Sequence, residues 1–473
     1  MTMFTLREAA ALIPGAVVIG DENVAIERVS TDSRKAQAGD LFVAVKGDRF
    51  DAHDFLTQVA ERGISAALVS RVPADLSLPV IKVKDTRAAL GALAHGWRKR
   101  FTLPLVAVTG SNGKTTVKEM IASIFAAAVG EEARMATAGN FNNDIGLPLT
   151  LFRLNATHRL AVVELGMNHP GETDVLGKIA APTVAVVNNA QREHQEFMAT
   201  VEAVALEHAS VIHALGETGT AVFPADDAYA SIWRVAATGN PIIDFALSDD
   251  PSKAAVTGRL AGTTVEMVTP QGPLTVALRV LGEHNARNAL AATAAALAAN
   301  VSPDAIRRGL EAFEPVKGRL QVKRAAVAPI EGATVIDDTY NSNPDSMRAA
   351  IDVLASQPSP RVLVMGDMGE VGDQGPAFHR EVGAYAAQRG IDALFALGDA
   401  SADAAKSFHS AASNKTAKHF SDVAALTAAL NNAGFGPGAT FLVKGSRFMQ
   451  MERVVDAVTS PHQPAAGEKP AAH

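Results

Sequence analysis

The stretch VAVTGSNGKTTVKEM, residues 106–120, decides how the rest of the chain is read. Its first half is a run of β-branched and small apolar residues, the composition of a buried strand. Two glycines, a lysine and two threonines follow, and then an apolar pattern with helical spacing begins. Strand, glycine turn and helix in that order form a phosphate grip. Gly110 and Gly113 permit a tight turn and close backbone approach, while free amides at the helix start and roughly half a positive charge from the helix dipole face an anion. Lys114 is placed to meet the β and γ phosphates of a nucleotide, and Thr115 to offer its hydroxyl to Mg²⁺. The general loop, G-x-x-x-x-G-K-[ST], has its first glycine where this chain has Val108; here the first glycine is Gly110, so the spacing is shortened.

Outward from the loop, PLVAVTG, LAVVELG and TVAVVNN alternate with helical stretches, the βαβ rhythm of a doubly wound, mostly parallel sheet. A central P-loop domain is therefore expected over 87–315, closing at the alanine-rich helical region ARNALAATAAALAAN. Before it, residues 1–86 mix short apolar runs such as LFVAVKG and AALVS with polar turns, which suggests a small α/β unit. After it, in 316–459, ATVIDDTYNSNP, RVLVMGDMGE, ALFALGD and TFLVKGS each read as a strand ending in a polar loop. Ligands gather at such carboxyl ends in open parallel sheets. The expected fold is thus α/β in three domains, the last one Rossmann-like, with SPHQPAAGEKPAAH (460–473) as a disordered tail.

The 473 residues exceed what one core usually serves. Lys and Arg number 43 against 50 Asp and Glu, and a net charge of −7 disfavours a general nucleic-acid binder. The chain has no cysteine, which excludes disulfides and thiolate metal sites. The opening MTMFTLREAA has no basic start followed by a long apolar core, and no stretch approaches the roughly 20 apolar residues of a membrane span. A cytoplasmic protein is expected, and without coiled-coil heptads a monomer.

Glu164 ends the apolar run LAVVE, which puts a carboxylate at the carboxyl end of a strand in the P-loop sheet; a hard cation takes such oxygen ligands. His194 follows TVAVVNN by a short loop on the same side. GNFNNDIGLP (139–148) packs three asparagines into a turn, with Asn140 a candidate for a ligand site.

Taken together, TGSNGKTT (109–116), GNFNNDIGLPLTL (139–151), VVELGMNHPGE (162–172), LGEHNARNALAA (281–292), KGRL (317–320), DDTYNSNPDSM (337–347) and GDMGEVG (366–372) resemble the Mur ligase family over nearly the whole chain except the tail. DDTYNSNP and the GDMGE loop look like its dipeptide-adding branch. The resemblance implies a three-domain, ATP- and Mg²⁺-dependent ligase of peptidoglycan precursor synthesis. Its implied partners are UDP-N-acetylmuramoyl-tripeptide and D-alanyl-D-alanine. The first domain would hold the UDP-substrate through Thr31, Asp32, Ser33 and Arg34 and through Lys46, Gly47 and Arg49, with Asn140 also on that substrate. ATP would be held by Gly110, Ser111, Asn112, Gly113, Lys114, Thr115 and Thr116, with Asn285 on adenine, Arg319 on the phosphates and Asp338 on the ribose. Lys114, Glu164, His194 and Arg319 would carry the catalysis. Thr115, Glu164 and His194 would serve the cations.

Two departures from the family pattern stand out. A lysine, carbamoylated by CO₂, commonly follows the metal histidine in this family, but TVEAVALEHASVIHAL (200–215) contains none. The nearest replacements are Glu207 and His208, and Glu207 is expected to supply the metal-site carboxylate directly. Ala52 stands where the family often has glycine, a matter of local loop geometry.

Overall fold

The computed structural model describes residues 2–47, 50–74 and 76–460. Arg49 and the expected tail from 461 onward lie outside the described residues. The N-terminal domain is built on a five-stranded sheet ordered Val17–Ile19, Val80–Lys82, Ala66–Val69, Asp40–Val43, Arg28–Ser30. The first pair is antiparallel and the rest are parallel. Helix Thr86–Arg98 links this domain to the next: Ala89, Leu90 and Leu93 enter the N-terminal core, while Ala94 enters the central one. Asp85 caps it by accepting from the amides of Arg87 and Ala88.

The central domain has a five-stranded, all-parallel sheet ordered Thr220–Val222, Val184–Val187, Leu105–Thr109, Leu160–Glu164, Arg134–Ala136. Every residue of Leu105–Thr109 is buried, as expected of a parallel strand covered on both faces. The chain crosses from it to one side for Arg134–Ala136 and Leu160–Glu164 and to the other for Val184–Val187. Its carboxyl end is therefore the switch point where an α/β sheet opens a crevice.

A second, four-stranded sheet, Phe245–Leu247, Val256–Ala261, Thr264–Thr269 and Gly272–Ala277, is mostly antiparallel. The βαβ rhythm gave no sign of it. The alanine-rich helix Glu283–Ala298 is buried along nearly its whole length, because methyl-sized side chains let the P-loop helix Lys114–Val129 and the second sheet both approach it. Helix Pro303–Ala312 closes on the P-loop helix at Gly309, where an added Cβ would stand 2.3 Å from the Cα of Ile124.

The C-terminal domain is a six-stranded sheet ordered Gln321–Arg324, Thr334–Asp338, Thr440–Lys444, Arg361–Gly366, Ala393–Leu397, Thr416–Phe420. Only the first pair is antiparallel. Helices on both faces give it two separate hydrophobic cores. Asn343 and Ser346 form a capping box at the start of helix Pro344–Ala355, which turns that helix's N-terminus toward the P-loop.

Candidate nucleotide and acyl-transfer site

A cavity of about 1410 Å³ lies between the central and C-terminal domains, running from Arg87 on the linking helix past the P-loop to Lys444 of the last domain. Gly110 (φ +132°), which does not itself line the cavity, and Gly113 (φ +82°), which does, make the turn into helix Lys114–Val129. Glycine is required twice over at 113. The angle is left-handed, and a Cβ would meet Asn288 Oδ1 at 2.5 Å and Asn188 Nδ2 at 2.6 Å. No side chain caps this helix, which suits an anion at its start.

The loop is held from behind by amide side chains. Asn188 Nδ2 donates to the Asn112 carbonyl (2.7 Å) and to Asn288 Oδ1 (2.9 Å). Asn288 in turn donates to Asn285 Oδ1 at 3.1 Å, and Asn285 to the Leu281 carbonyl at 2.8 Å. Ser111 Oγ accepts from the Gln191 amide at 2.8 Å, which ties the loop to the segment after strand Val184–Val187. Thr116 is buried on the first helical turn.

Lys114 Nζ donates to the carbonyls of Gly110 (2.5 Å) and Ser111 (3.2 Å) and to Glu193 Oε2 (3.2 Å). Arg319 comes from the C-terminal side, donates to Thr115 Oγ1 at 2.9 Å and lies 4.2 Å over the Tyr340 ring. Glu164 is 3 % exposed; one oxygen accepts from Asn142 Nδ2 at 2.8 Å, while Oε2 is buried without a hydrogen-bond partner. His194 sits at φ +45°, its Nδ1 2.9 Å from Glu370 Oε2, close enough for an ion pair but poorly aligned for a hydrogen bond. Glu370 is held below its usual carboxyl range by that imidazole. Asp338 accepts from Lys444 Nζ at 2.6 Å.

The structure therefore brings Lys114, Thr115, Glu164, His194, Asn285, Arg319, Asp338 and Asn140 to one cavity. Thr31, Asp32, Ser33, Arg34, Lys46 and Gly47 do not line it. They follow the neighbouring parallel strands Arg28–Ser30 and Asp40–Val43 and so share one carboxyl-end edge of the N-terminal sheet. Asp32 and Arg34 pair with each other there at 2.9 Å. Within KGDRFDAHDF, His53 is buried between Asp51 and the Ser70 amide and ties the two together.

One expectation is corrected. Glu207 is not at the cation site: its two oxygens accept from the amides of Gly171 and Thr173, each at 2.8 Å, and cap helix Glu172–Ala180. Two orphan amides and the helix dipole take up both lone-pair faces of the carboxylate. Its neighbour His208 is fully buried and points the other way. Its Nδ1 is 3.0 Å from Thr109 Oγ1 and its Nε2 2.9 Å from Glu193 Oε1. Burial works to raise the Glu193 carboxyl, but Lys114, His208 and His194 outweigh it and hold it at about 2. Glu193 was missed in the sequence, although it directly precedes His194 in QREHQEF. Arg192 was missed as well. It donates to Asp345 (3.0 Å from Nε) and Glu381 (2.7 Å from Nη1) across the domain boundary and lies over Phe378.

Residues 25–98 match the Mur ligase family catalytic domain, 108–296 the Mur ligase middle domain and 318–447 the Mur ligase glutamate ligase domain. The chain belongs to the Mur ligase family. As a Mur ligase it is an ATP-dependent ligase. It is 39% identical over 451 residues to the UDP-N-acetylmuramoyl-tripeptide–D-alanyl-D-alanine ligase of Haemophilus influenzae, covering 94% of this chain and 96% of that one. Among solved structures, MurF from Acinetobacter baumannii superposes with a TM-score of 0.86 at 36% identity, over 96% of this chain and 98% of that one. The MurF ligase of Thermotoga maritima in complex with ADP gives 0.79 at 25% identity, over 91% of this chain and 96% of that one. In this Mur ligase the P-loop, Glu164 and His194 belong to the middle domain and Arg319 and Asp338 to the glutamate ligase domain. The cavity is thus completed only when the two domains meet.

Proposed function

We propose that this Mur ligase joins D-alanyl-D-alanine to UDP-N-acetylmuramoyl-tripeptide in the cytoplasm, as a monomer, with conversion of ATP to ADP and phosphate. The observation that carries the ligase chemistry is Arg319 of the last domain reaching Thr115 of the P-loop at 2.9 Å. A guanidinium and the Lys114 ammonium then face the same phosphate-binding turn from different domains. The choice of substrates is supported by the names of relatives that match along nearly their whole length. It is supported too by a cavity that reaches toward the N-terminal domain, where Thr31–Arg34 and Lys46–Gly47 offer a shared edge for the UDP end.

A peptide carboxylate does not react with an amine at neutral pH, so it is first activated. A terminal carboxylate oxygen attacks the γ-phosphorus, the β–γ oxygen bond breaks, and an acyl phosphate forms beside ADP. The dipeptide amine then adds to the acyl carbon and loses a proton, and the tetrahedral adduct expels inorganic phosphate. Phosphoryl transfer needs chiefly positioning and charge stabilisation, a part that falls to Lys114 and Arg319. The donor set fits Mg²⁺. Thr115 Oγ1 is the group that would hold one ion, and the unpartnered buried oxygen of Glu164 with the His194 imidazole those that would hold a second; bound there, the ions would neutralise phosphate charge. Asn285 at adenine and Asp338 at ribose complete the proposed nucleotide contacts. Phosphate release measured over a matrix of substrates tests the reading: release is expected only with ATP, UDP-N-acetylmuramoyl-tripeptide and D-alanyl-D-alanine together. Release with ATP alone at the same rate would mark a nucleotide switch instead.

A further inference from the structure

Glu193 is a carboxylate whose placement the fold does not explain. It is 5 % exposed, lines the cavity and lies on a loop, where a buried charge is costly unless it is paired. One oxygen is fixed through His208 to Thr109, a chain of fully buried groups that begins on the P-loop strand itself. The other oxygen faces Lys114 at 3.2 Å and His194 Nε2 at 4.0 Å. Lys114 at the same time folds back onto the carbonyls of Gly110 and Ser111. A P-loop lysine with nucleotide bound must turn its ammonium to the phosphates. That movement takes the counter-charge away from Glu193 Oε2 inside a cavity that already contains the unpartnered, buried Glu164 Oε2.

We infer that Glu193, oriented by His208, is a further cation-binding carboxylate of this site, and that Lys114 occupies it until nucleotide draws the lysine to the phosphates. The inference rests on the ATP and Mg²⁺ reading above and assigns this chain's own residues to the role first expected of Glu207. Among the described residues no three His, Asp or Glu side chains already converge as a cation cage. An exchange accounts for that: the ammonium stands where the divalent ion goes, and phosphate oxygens complete the shell only with nucleotide present.

Mn²⁺ titration followed by electron paramagnetic resonance, with β,γ-methylene-ATP bound, tests this on the full chain. Wild type is expected to take up Mn²⁺ in a tighter and a weaker site. In Glu193→Gln one of them should weaken by well over tenfold, and in His208→Gln by about tenfold, as for a group that orients a ligand. Lys114→Met without nucleotide should bind Mn²⁺ at least about threefold more tightly than wild type, since the competing ammonium is gone. Unchanged Mn²⁺ binding in a folded Glu193→Gln protein overturns the assignment. If that variant does not fold, Lys114→Met decides, and no gain in affinity there overturns it equally. Wild type that takes up no Mn²⁺ with the analogue overturns the nucleotide and cation reading along with it.

Discussion

The central domain meets its two neighbours in different ways. Toward the N-terminal domain the contact is aromatic and aliphatic. Trp97 stands edge-on to Phe4 and Phe101 with ring centres 5.8 and 5.4 Å away, and its indole donates to the Leu154 carbonyl. Toward the C-terminal domain the contact is polar: Arg192 with Asp345 and Glu381, Asn112 with Asn343, His194 with Glu370, Arg319 with Thr115. Apolar packing loses much of its free energy with a small gap, whereas charged side chains exchange a partner for water at modest cost. The contrast predicts that the first junction stays together and that the second opens and closes around its substrates.

The largest test of this contrast is at the catalytic centre. Lys114→Ala should lower kcat by roughly a thousandfold in the phosphate-release assay, the scale of a lost charge-stabilising group. Next comes Trp97→Ala at the apolar junction, which should cost about 3 kcal/mol in urea denaturation while leaving kcat near wild type at 25 °C. A loss of activity without a loss of stability would reverse the roles given to the two junctions.

Arg192→Ala should do the opposite of Trp97→Ala. Stability in urea should barely move, and kcat/KM for ATP should fall about tenfold as the closed form loses about 1.4 kcal/mol. The smallest effect concerns pH. Hydrogen bonds from Arg192, opposed by partial burial, hold the Glu381 carboxyl below its usual value. A lowered carboxyl stabilises the closed form above its unfolded pKa, and that contribution is lost as pH falls through the lowered one. The radius of gyration from small-angle scattering should therefore stay constant from about pH 7 to pH 5 and increase only below about pH 4. Arg192→Ala should abolish that acid step.

Much of the site was legible because its chemistry is local. The turn from Thr109 to Lys114 needs glycine at set positions, and the strand-end carboxylate Glu164 announces itself by where an apolar run stops, whereas Asp338 was marked only by the family resemblance. The second central sheet was not legible: its hairpins interrupt the βαβ rhythm with short segments whose partners lie only within that sheet. Glu207 and His208 show the limit most sharply. They are adjacent on helix Val201–His213, so they point about 100° apart, and nothing local says which one faces the P-loop.

By itself the sequence determined the phosphate grip, the three α/β units and the family, because backbone angles, strand runs and ordered motifs are properties of short stretches. Only the tertiary structure decided which charges meet. It gave Glu207 to a helix N-terminus, Glu193 to His208 and the P-loop lysine, and Arg192 to the neighbouring domain. The physical reason is that a buried charge is settled by whichever partner the packing brings within about 3 Å, often from a distant part of the chain.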